Sequence, residues 1–249
     1  MLCQDKIIGI FCLIDDILQG IEHKEDIRRQ VSDSEVILTA IVSATSFYGN
    51  HSSAIHFMKH YGFIPDMIDK SRFNRRLHKI SRLLYALFEI VSSYFKHICC
   101  ELSYIIDSFP VEVCKNIRIS NCKILKDKKW RGYTASMRSY FYGVKVQLLV
   151  TKDGIPVAFH FTPGKTADAK AIGKMIDKLP AESSVYGDSA YLDYVLEDRA
   201  FERKAVFLKI HGNCQSIGLS PCMNKSWKKF KNYLISLKKP LFCGYESIF

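Results

Sequence analysis

The chain has 249 residues, and hydrophobic residues make up 48% of its sequence. This length and composition are sufficient to bury a core, so they exclude global disorder and fibrous or low-complexity structure. The 36 Lys and Arg outnumber the 25 Asp and Glu to give a net charge of +11, which favours a polyanionic partner such as nucleic acid.

Neither a membrane span nor a signal peptide is predicted from the pattern of charged residues. We therefore expect a cytoplasmic protein with no membrane partner. The nine cysteines include no Cys-x-x-Cys pair, which argues against a zinc site and against a disulfide framework. We expect these thiols to be reduced and mostly buried.

Apolar residues recur with helical spacing through the first hundred residues. The pattern predicts helices over 5–22, from Ser32 to about residue 49, and over 52–61. Ser32 and Glu35 have the spacing of a capping box, which marks the start of the second helix. We therefore predict an all-helical domain over residues 1–100.

A basic segment from Lys70 to Lys79 leads into a long apolar helix that is predicted to end near Ile98. Four of its cations have helical spacing along one side and are candidate contacts to DNA phosphates: Arg72, Arg75, Arg76 and Lys79. A solvated helix face explains the same charges equally well.

Beyond residue 100 the apolar period changes from that of a helix to that of a strand. A strand is predicted over 102–107, continuing at 111–114 after a break at Phe109 and Pro110. Two apolar runs joined by Asp153 and Gly154 predict a hairpin. The elements predicted in this part of the chain are the hairpin strands over 140–151 and 155–162, helices over 167–179 and 191–201, and strands over 183–186 and 205–210. This order indicates an α+β or α/β core behind the helical domain.

Asp107 and Asp188 each follow a predicted buried strand. Carboxylates that meet at the strand ends of one sheet can bind hard divalent cations such as Mg²⁺. A structural role is as well supported, because Asp107 could cap the turn at Phe109 and Asp188 could cap the next helix. Asp168 is expected only to cap the helix that follows it.

The segment 123–133 is predicted to be a charged loop between core strands, with Trp130 and Tyr133 among its cations. The candidate DNA contacts in this loop are Lys128, Lys129 and Arg131. Phosphate contact with aromatic stacking and simple solvation are both compatible with this composition.

Four motifs in this order resemble those of bacterial insertion-sequence transposases of the DDE type, most closely insertion-sequence family nine-eight-two. They are Ser71-Arg72-Phe73-Asn74-Arg75-Arg76-Leu77, Tyr104-Ile105-Ile106-Asp107-Ser108-Phe109-Pro110-Val111, the segment Tyr142 to Pro156, and Gly187-Asp188-Ser189-Ala190-Tyr191. The resemblance covers about residues 5 to 209. It implies a helical DNA-binding domain and an RNase H-like mixed-sheet core over 101–210. Residues 211–249 depart from the family and are interpreted as a divergent basic tail.

By this resemblance, Asp107 and Asp188 are the first two catalytic acids and bind two Mg²⁺ or Mn²⁺ ions. The implied reaction is DNA cleavage at the element ends followed by strand transfer. The implied partners are the terminal inverted repeats, the target DNA and further copies of the same chain, in a bacterial cytoplasm at the nucleoid.

The third acid of the family does not have an obvious counterpart. The matching region, 226–239, contains no carboxylate, and beyond Glu202 the only acid is Glu246, which is the candidate third acid. A frameshifted or truncated C-terminus would explain this departure, and we expect weak or no activity. A non-catalytic DNA-binding remnant and an RNase H-like nuclease are the alternative functions.

Overall fold

The computed structural model describes residues 2–98, 102–122, 125–134 and 138–211. The described residues form two compact units, one up to Ile90 and the other from Val91 onward. Among them, no helix is both long and apolar enough to span a membrane. The predicted tail from residue 212, including Glu246, lies outside the described residues.

The first unit is helical, as predicted, and we call it the helical unit. Its helices are α1 (Gln4–Gly20), α2 (Asp33–Ser46), α3 (His51–His60), α4 (Lys70–Lys79) and α5 (Ser81–Ile98), whose last turns belong to the second unit. The predicted capping box is confirmed: the Glu35 N–H donates to Ser32 Oγ at 3.1 Å, and the Ser32 N–H donates to Glu35 Oε2 at 2.7 Å. The helices enclose a core that includes Val36, Ile37 and Phe73.

The basic segment and the apolar helix after it are separate helices, which differs from the predicted continuous run. Ile80 ends α4, and its backbone N–H donates to the Arg76 carbonyl. The Ile80 side chain is only 6% exposed and belongs to the core. A turn at this residue therefore buries Ile80 while α4 keeps its charged side in solvent.

The second unit, which we call the sheet unit, is built on a six-stranded mixed sheet. Its elements are β1 (Ser103–Cys114), β2 (Arg131–Thr134), β3 (Ser139–Thr151), β4 (Pro156–Pro163), α6 (Ala169–Ile176), β5 (Ser184–Asp188), α7 (Tyr194–Lys204) and β6 (Phe207–His211). The order is β2-β3-β1-β5-β6, and β4 also pairs with β3. Strand β3 pairs antiparallel with β1, β2 and β4, whereas β5 pairs parallel with β1 and β6 pairs parallel with β5. Helices followed by this mixed sheet are compatible with an RNase H-like core.

The hairpin of β3 and β4 is confirmed, with Gly154 at a positive φ of 85° in the turn. The strand β2 was not predicted, so Arg131 begins a strand where a loop was expected. The expectation of buried thiols is wrong for the described cysteines, all free: Cys3 and Cys12 are exposed, and Cys114 and Cys122 are half-buried.

The core of the sheet unit lies against one face of the sheet. Side chains of α6 and α7 pack there on Tyr104 and Ile106 of β1, Leu149 of β3 and Val185 of β5. Because side chains alternate along a strand, Asp107 belongs to the opposite face from Ile106. The same alternation places Asp188 on the opposite face from Val185.

Candidate active site

The two predicted acids lie on neighbouring parallel strands, each two residues beyond a paired position. Strand β1 pairs with β5 in a register that sets Ser103 against Ser184 and Ile105 against Tyr186. The same register, continued by two residues, sets Asp107 against Asp188. Neighbouring strands are about 4.8 Å apart, and residues in register point to the same face. Both carboxylates therefore belong to one small region of the sheet.

The sheet has a step at this position, because β5 ends at Asp188 whereas β1 continues to Cys114. Beyond Asp107, β1 remains paired with β3, and Pro110 lies opposite Lys145. The predicted break at Phe109 and Pro110 is absent, so Asp107 lies within a strand and not at its end. Proline is tolerated there because the β5 side of β1 is no longer paired by any described strand.

Each carboxylate is oriented by a backbone N–H group. The Ser108 N–H donates to Asp107 Oδ1 at 2.8 Å, and the Ala190 N–H donates to Asp188 Oδ1 at 2.9 Å. Asp188 is therefore the N-cap of the short 3-10 helix Ser189–Tyr191, one of the two roles considered for it. The cap occupies one oxygen of Asp188, whose side chain is exposed, and is compatible with cation binding.

Four polar side chains are connected on the core face of the sheet, and we call them the buried polar chain: Tyr191, Gln147, Asp168 and Lys145. The Tyr191 hydroxyl donates to Gln147 Oε1, and Gln147 Nε2 donates to Asp168 Oδ1 at 2.6 Å. Lys145 Nζ donates to both Asp168 oxygens, at 3.1 and 3.4 Å, and to the Thr166 carbonyl at 3.1 Å. Sequence reasoning missed this chain, although Lys145 and Gln147 interrupt an apolar strand.

Asp168 does not have the role expected from the sequence. It precedes α6, but its side chain makes no capping hydrogen bond. The carboxylate pairs instead with Lys145, and the two side chains are 13% and 16% exposed. Burial raises the pKa of Tyr191, and the negative charges of Asp168 and Asp107 raise it further. Tyr191 is therefore a neutral hydroxyl that lies near carboxylates on both sides of the sheet.

In the helical unit, the four candidate DNA contacts of α4 separate into two groups. Arg72, Arg75 and Lys79 are exposed. The guanidinium of Arg76 is only 25% exposed, and it donates to Asp33 and to the Val31 carbonyl. Arg76 thus connects α4 to the start of α2.

Arg76 belongs to a cluster in which ligand atoms of His23, Glu25 and Asp33 lie within 4.8 Å of one another. These atoms already have partners, since His23 Nε2 is 2.9 Å from Asp33 and Arg29 Nε is 3.0 Å from Glu25. Burial acts to raise the pKa of Asp33, but hydrogen bonds with His23 and Arg76 outweigh it and hold the pKa below its usual value. The cluster is an ion-pair network in which arginines supply the positive charge.

A groove of about 570 Å³ borders this network, and sequence reasoning did not identify it. Three acidic residues line it, Glu25, Asp26 and Asp33, together with six basic ones: Lys24, Arg28, Arg29, Arg76, Lys79 and Arg82. The sequence feature that could have indicated this groove is the high density of charged residues over 24–29. The excess of cations gives the groove a net positive lining.

The candidate contacts around β2 are all exposed: Lys128, Lys129 and Arg131. Lys129 pairs with Asp127 at 2.9 Å and lies 5.2 Å from the centre of the Trp130 ring. The rings of Tyr133 and Tyr140, 49% and 70% exposed, lie 4.9 Å apart beside these cations. Tyr140, which was not predicted, completes an exposed aromatic pair within a basic surface.

Residues 97–222 match the model of a family described as the transposase DDE domain. The match covers just over half of the chain and includes both Asp107 and Asp188. No curated protein matches the chain.

Proposed function

The chain belongs to the transposase DDE domain family, and from this premise we propose that it cleaves and joins DNA at the ends of an insertion sequence, with Asp107 and Asp188 as catalytic acids. The observation that supports this proposal is the parallel register of β1 and β5, whose continuation by two residues beyond Ile105 and Tyr186 would set Asp107 opposite Asp188 at the step in the sheet. The resemblance to insertion-sequence family nine-eight-two supports the same assignment.

Members of this family generally use a divalent metal ion. The carboxylates of Asp107 and Asp188 fit such an ion, since both offer hard oxygen ligands from one face of the sheet. Each is held by a backbone N–H group, which limits the rotation of the side chain before metal binds. Two Mg²⁺ or Mn²⁺ ions bound there would neutralise charge on the phosphoryl group and lower the pKa of attacking water.

The residues of this chain would then orient the DNA. Among the described strands, none pairs with the β5 side of β1 beyond Asp107, and we propose that a phosphodiester binds at this edge beside the carboxylates. Lys128, Lys129 and Arg131 would neutralise phosphates, and the exposed pair of Tyr133 and Tyr140 offers a surface on which unpaired bases can stack. These contacts would position the scissile strand at the step in the sheet.

The helical unit is proposed to bind duplex DNA through phosphate contacts. Arg72, Arg75 and Lys79 are exposed on α4, and Lys24, Arg28 and Arg82 line the neighbouring groove. We leave Arg76 out of this surface because its guanidinium already binds Asp33 and Val31. We propose that the chain acts as a homo-oligomer at the nucleoid on terminal inverted repeats and target DNA.

A second function, DNA binding without catalysis, is favoured by one feature of the sequence. No carboxylate lies between Glu202 and Glu246, where the family has its third acid. Glu246 is our candidate for that acid. With only two acids in place, the second metal ion would be weakly held, and cleavage would be slow.

Cleavage of a labelled duplex that carries the flanking inverted repeat tests the proposal, in Mg²⁺ and in Mn²⁺. We expect slow, metal-dependent nicking that falls at least about 100-fold in Asp107→Asn and in Asp188→Asn, because each loses a metal ligand. Asp153→Asn is the matched control, since this carboxylate lies exposed in the hairpin turn.

Nicking that persists in Asp107→Asn would overturn the catalytic assignment. Salt-sensitive binding of the same duplex with no nicking in either metal would establish the second function. Nicking without any joined product would favour an RNase H-like nuclease over a transposase.

A further inference from the structure

The buried polar chain lies inside an otherwise apolar cluster, behind the two acids. Tyr191 is 1% exposed and Gln147 is fully buried, and around them pack the apolar side chains of α6, α7 and the sheet. Polar groups in such surroundings are costly unless all are hydrogen-bonded, and a fully connected set fixes one arrangement of its members. The buried polar chain is hydrogen-bonded continuously from Tyr191 to Lys145.

Within the buried polar chain, the donor and the acceptor of each hydrogen bond are fixed. Asp168 accepts from Lys145, so the Gln147 amide must present its Nε2 to the carboxylate. Its Oε1 then faces Tyr191, whose hydroxyl has to donate. The opposite amide orientation would set two acceptors against each other at Asp168. The ion pair therefore fixes the position of the Tyr191 hydroxyl through Gln147.

Tyr191 is linked to the neighbours of both acids. Its hydroxyl donates to Gln147, which lies opposite Ser108 in the β1–β3 register, and the Ser108 N–H orients Asp107. Its ring lies behind Gly187, where an added Cβ would be 3.4 Å from Tyr191 Cδ2. Tyr191 also ends the short 3-10 helix whose Ala190 N–H orients Asp188. One buried side chain thus supports the backbone on which both carboxylates are mounted.

We propose that the buried polar chain positions Asp107 and Asp188 for divalent metal, with Tyr191 as its contact point and the pair of Asp168 and Lys145 as its anchor. The inference rests on the proposed function of the two acids. Asp168 acts in it through Gln147 and Tyr191 and does not ligate the metal, because Lys145 and Gln147 already occupy its oxygens. Groups that orient metal ligands in this way commonly change metal affinity by about 10-fold to 100-fold.

Calorimetric titration of the full chain with Mn²⁺ tests the proposal without relying on cleavage. We expect Tyr191→Phe to weaken Mn²⁺ binding about 10-fold, since it removes only the hydroxyl that donates to Gln147 in the buried polar chain. Tyr142→Phe is the matched control. Its hydroxyl, in the same sheet and also buried, donates to the Leu125 carbonyl at 2.9 Å, so the stability loss is similar while Mn²⁺ affinity is unchanged.

A double-mutant cycle separates positioning from a general structural effect. We expect Asp168→Asn to weaken Mn²⁺ binding as well, and the variant with both Asp168→Asn and Tyr191→Phe to bind no more weakly than the worse single variant. Additive losses, or equal losses in Tyr191→Phe and Tyr142→Phe, would overturn the positioning role.

Asp107→Asn serves as the reference in the same titration. If it abolishes Mn²⁺ binding while Tyr191→Phe binds normally, the metal site is correct and the role of the buried polar chain is wrong. If Asp107→Asn binds Mn²⁺ as the unmodified chain does, the proposed metal site itself is wrong, and the positioning role is overturned with it.

Discussion

The two units of the molecule both gather carboxylates, but different groups hold them. In the helical unit, Glu25 and Asp33 pair with Arg29, Arg76 and His23. In the sheet unit, Asp107 and Asp188 are oriented by backbone N–H groups. Backbone donors orient a carboxylate without neutralising its charge, whereas arginine partners neutralise it. The comparison explains why we assign metal binding to the sheet unit and a structural role to the cluster of the helical unit.

The largest expected effect on stability comes from a substitution at a glycine of the sheet unit, and it tests how firmly Asp107 is positioned. A Cβ on Gly143 would lie 2.0 Å from the Val111 carbonyl oxygen, across the β1–β3 pair that carries Asp107. Because the obstacle is backbone, we expect Gly143→Ala to lower the free energy of unfolding by about 3 kcal/mol or more. Hydrogen exchange of peptides from β1 and β3 measures the loss.

The control for this prediction is Gly9→Ala in α1 of the helical unit. No atom lies within 4 Å of the added Cβ, so the helix should gain about 0.5–1 kcal/mol from the better helix former. If β1 and β3 are equally protected from hydrogen exchange in Gly143→Ala and in the unmodified chain, the β1–β3 pair adjusts easily to the added methyl group. The position of Asp107 would then be less fixed than we infer.

A smaller effect is expected from Arg76→Ala in the helical unit. The substitution leaves the 7%-exposed Asp33 without its guanidinium partner, which should cost about 2–3 kcal/mol. Thermal unfolding measures this loss. Arg72→Ala is the matched control on the same helix, because its pair with Asp69 is exposed to solvent and its loss should leave the unfolding temperature nearly unchanged.

If Arg76→Ala instead leaves the unfolding temperature unchanged and weakens DNA binding as Arg75→Ala does, the arginine contacts DNA. The structural role that we assign to Arg76 and to the cluster of the helical unit would then be wrong.

Periodicity was sufficient to predict the helices and the β3–β4 hairpin, because each is encoded by nearby residues. The position of Asp107 within β1 was wrong, because the length of β1 depends on its pairing with β3. The strand β2 was missed for the same reason: Arg131 to Thr134 show no alternation and become a strand by pairing with β3.

The two acids could be chosen from the sequence, but their proximity could not. It follows from the offset between β1 and β5, which only the paired strands reveal. The buried polar chain connects residues that are 21 and 44 positions apart, so no local pattern encodes it. Lys145 and Gln147 inside an otherwise apolar strand were the local signs that buried partners had to exist.

The smallest effect concerns the pH dependence of the helical cluster. His23 and Arg76 hold the pKa of folded Asp33 below its ordinary value of 3.8, so the folded state favours the ionised carboxylate. The stability that this provides is complete above about pH 3.8 and is lost as the pH falls through the lower pKa of the folded state. Thermal unfolding between pH 6 and pH 3, roughly the range over which an aspartate titrates, should therefore show a steeper loss in the unmodified chain than in Asp33→Asn. Parallel losses would mean that Asp33 ionises alike in the folded and unfolded chains. The arginine would then not neutralise it, and the cluster would resemble the pair at Asp107 and Asp188 after all.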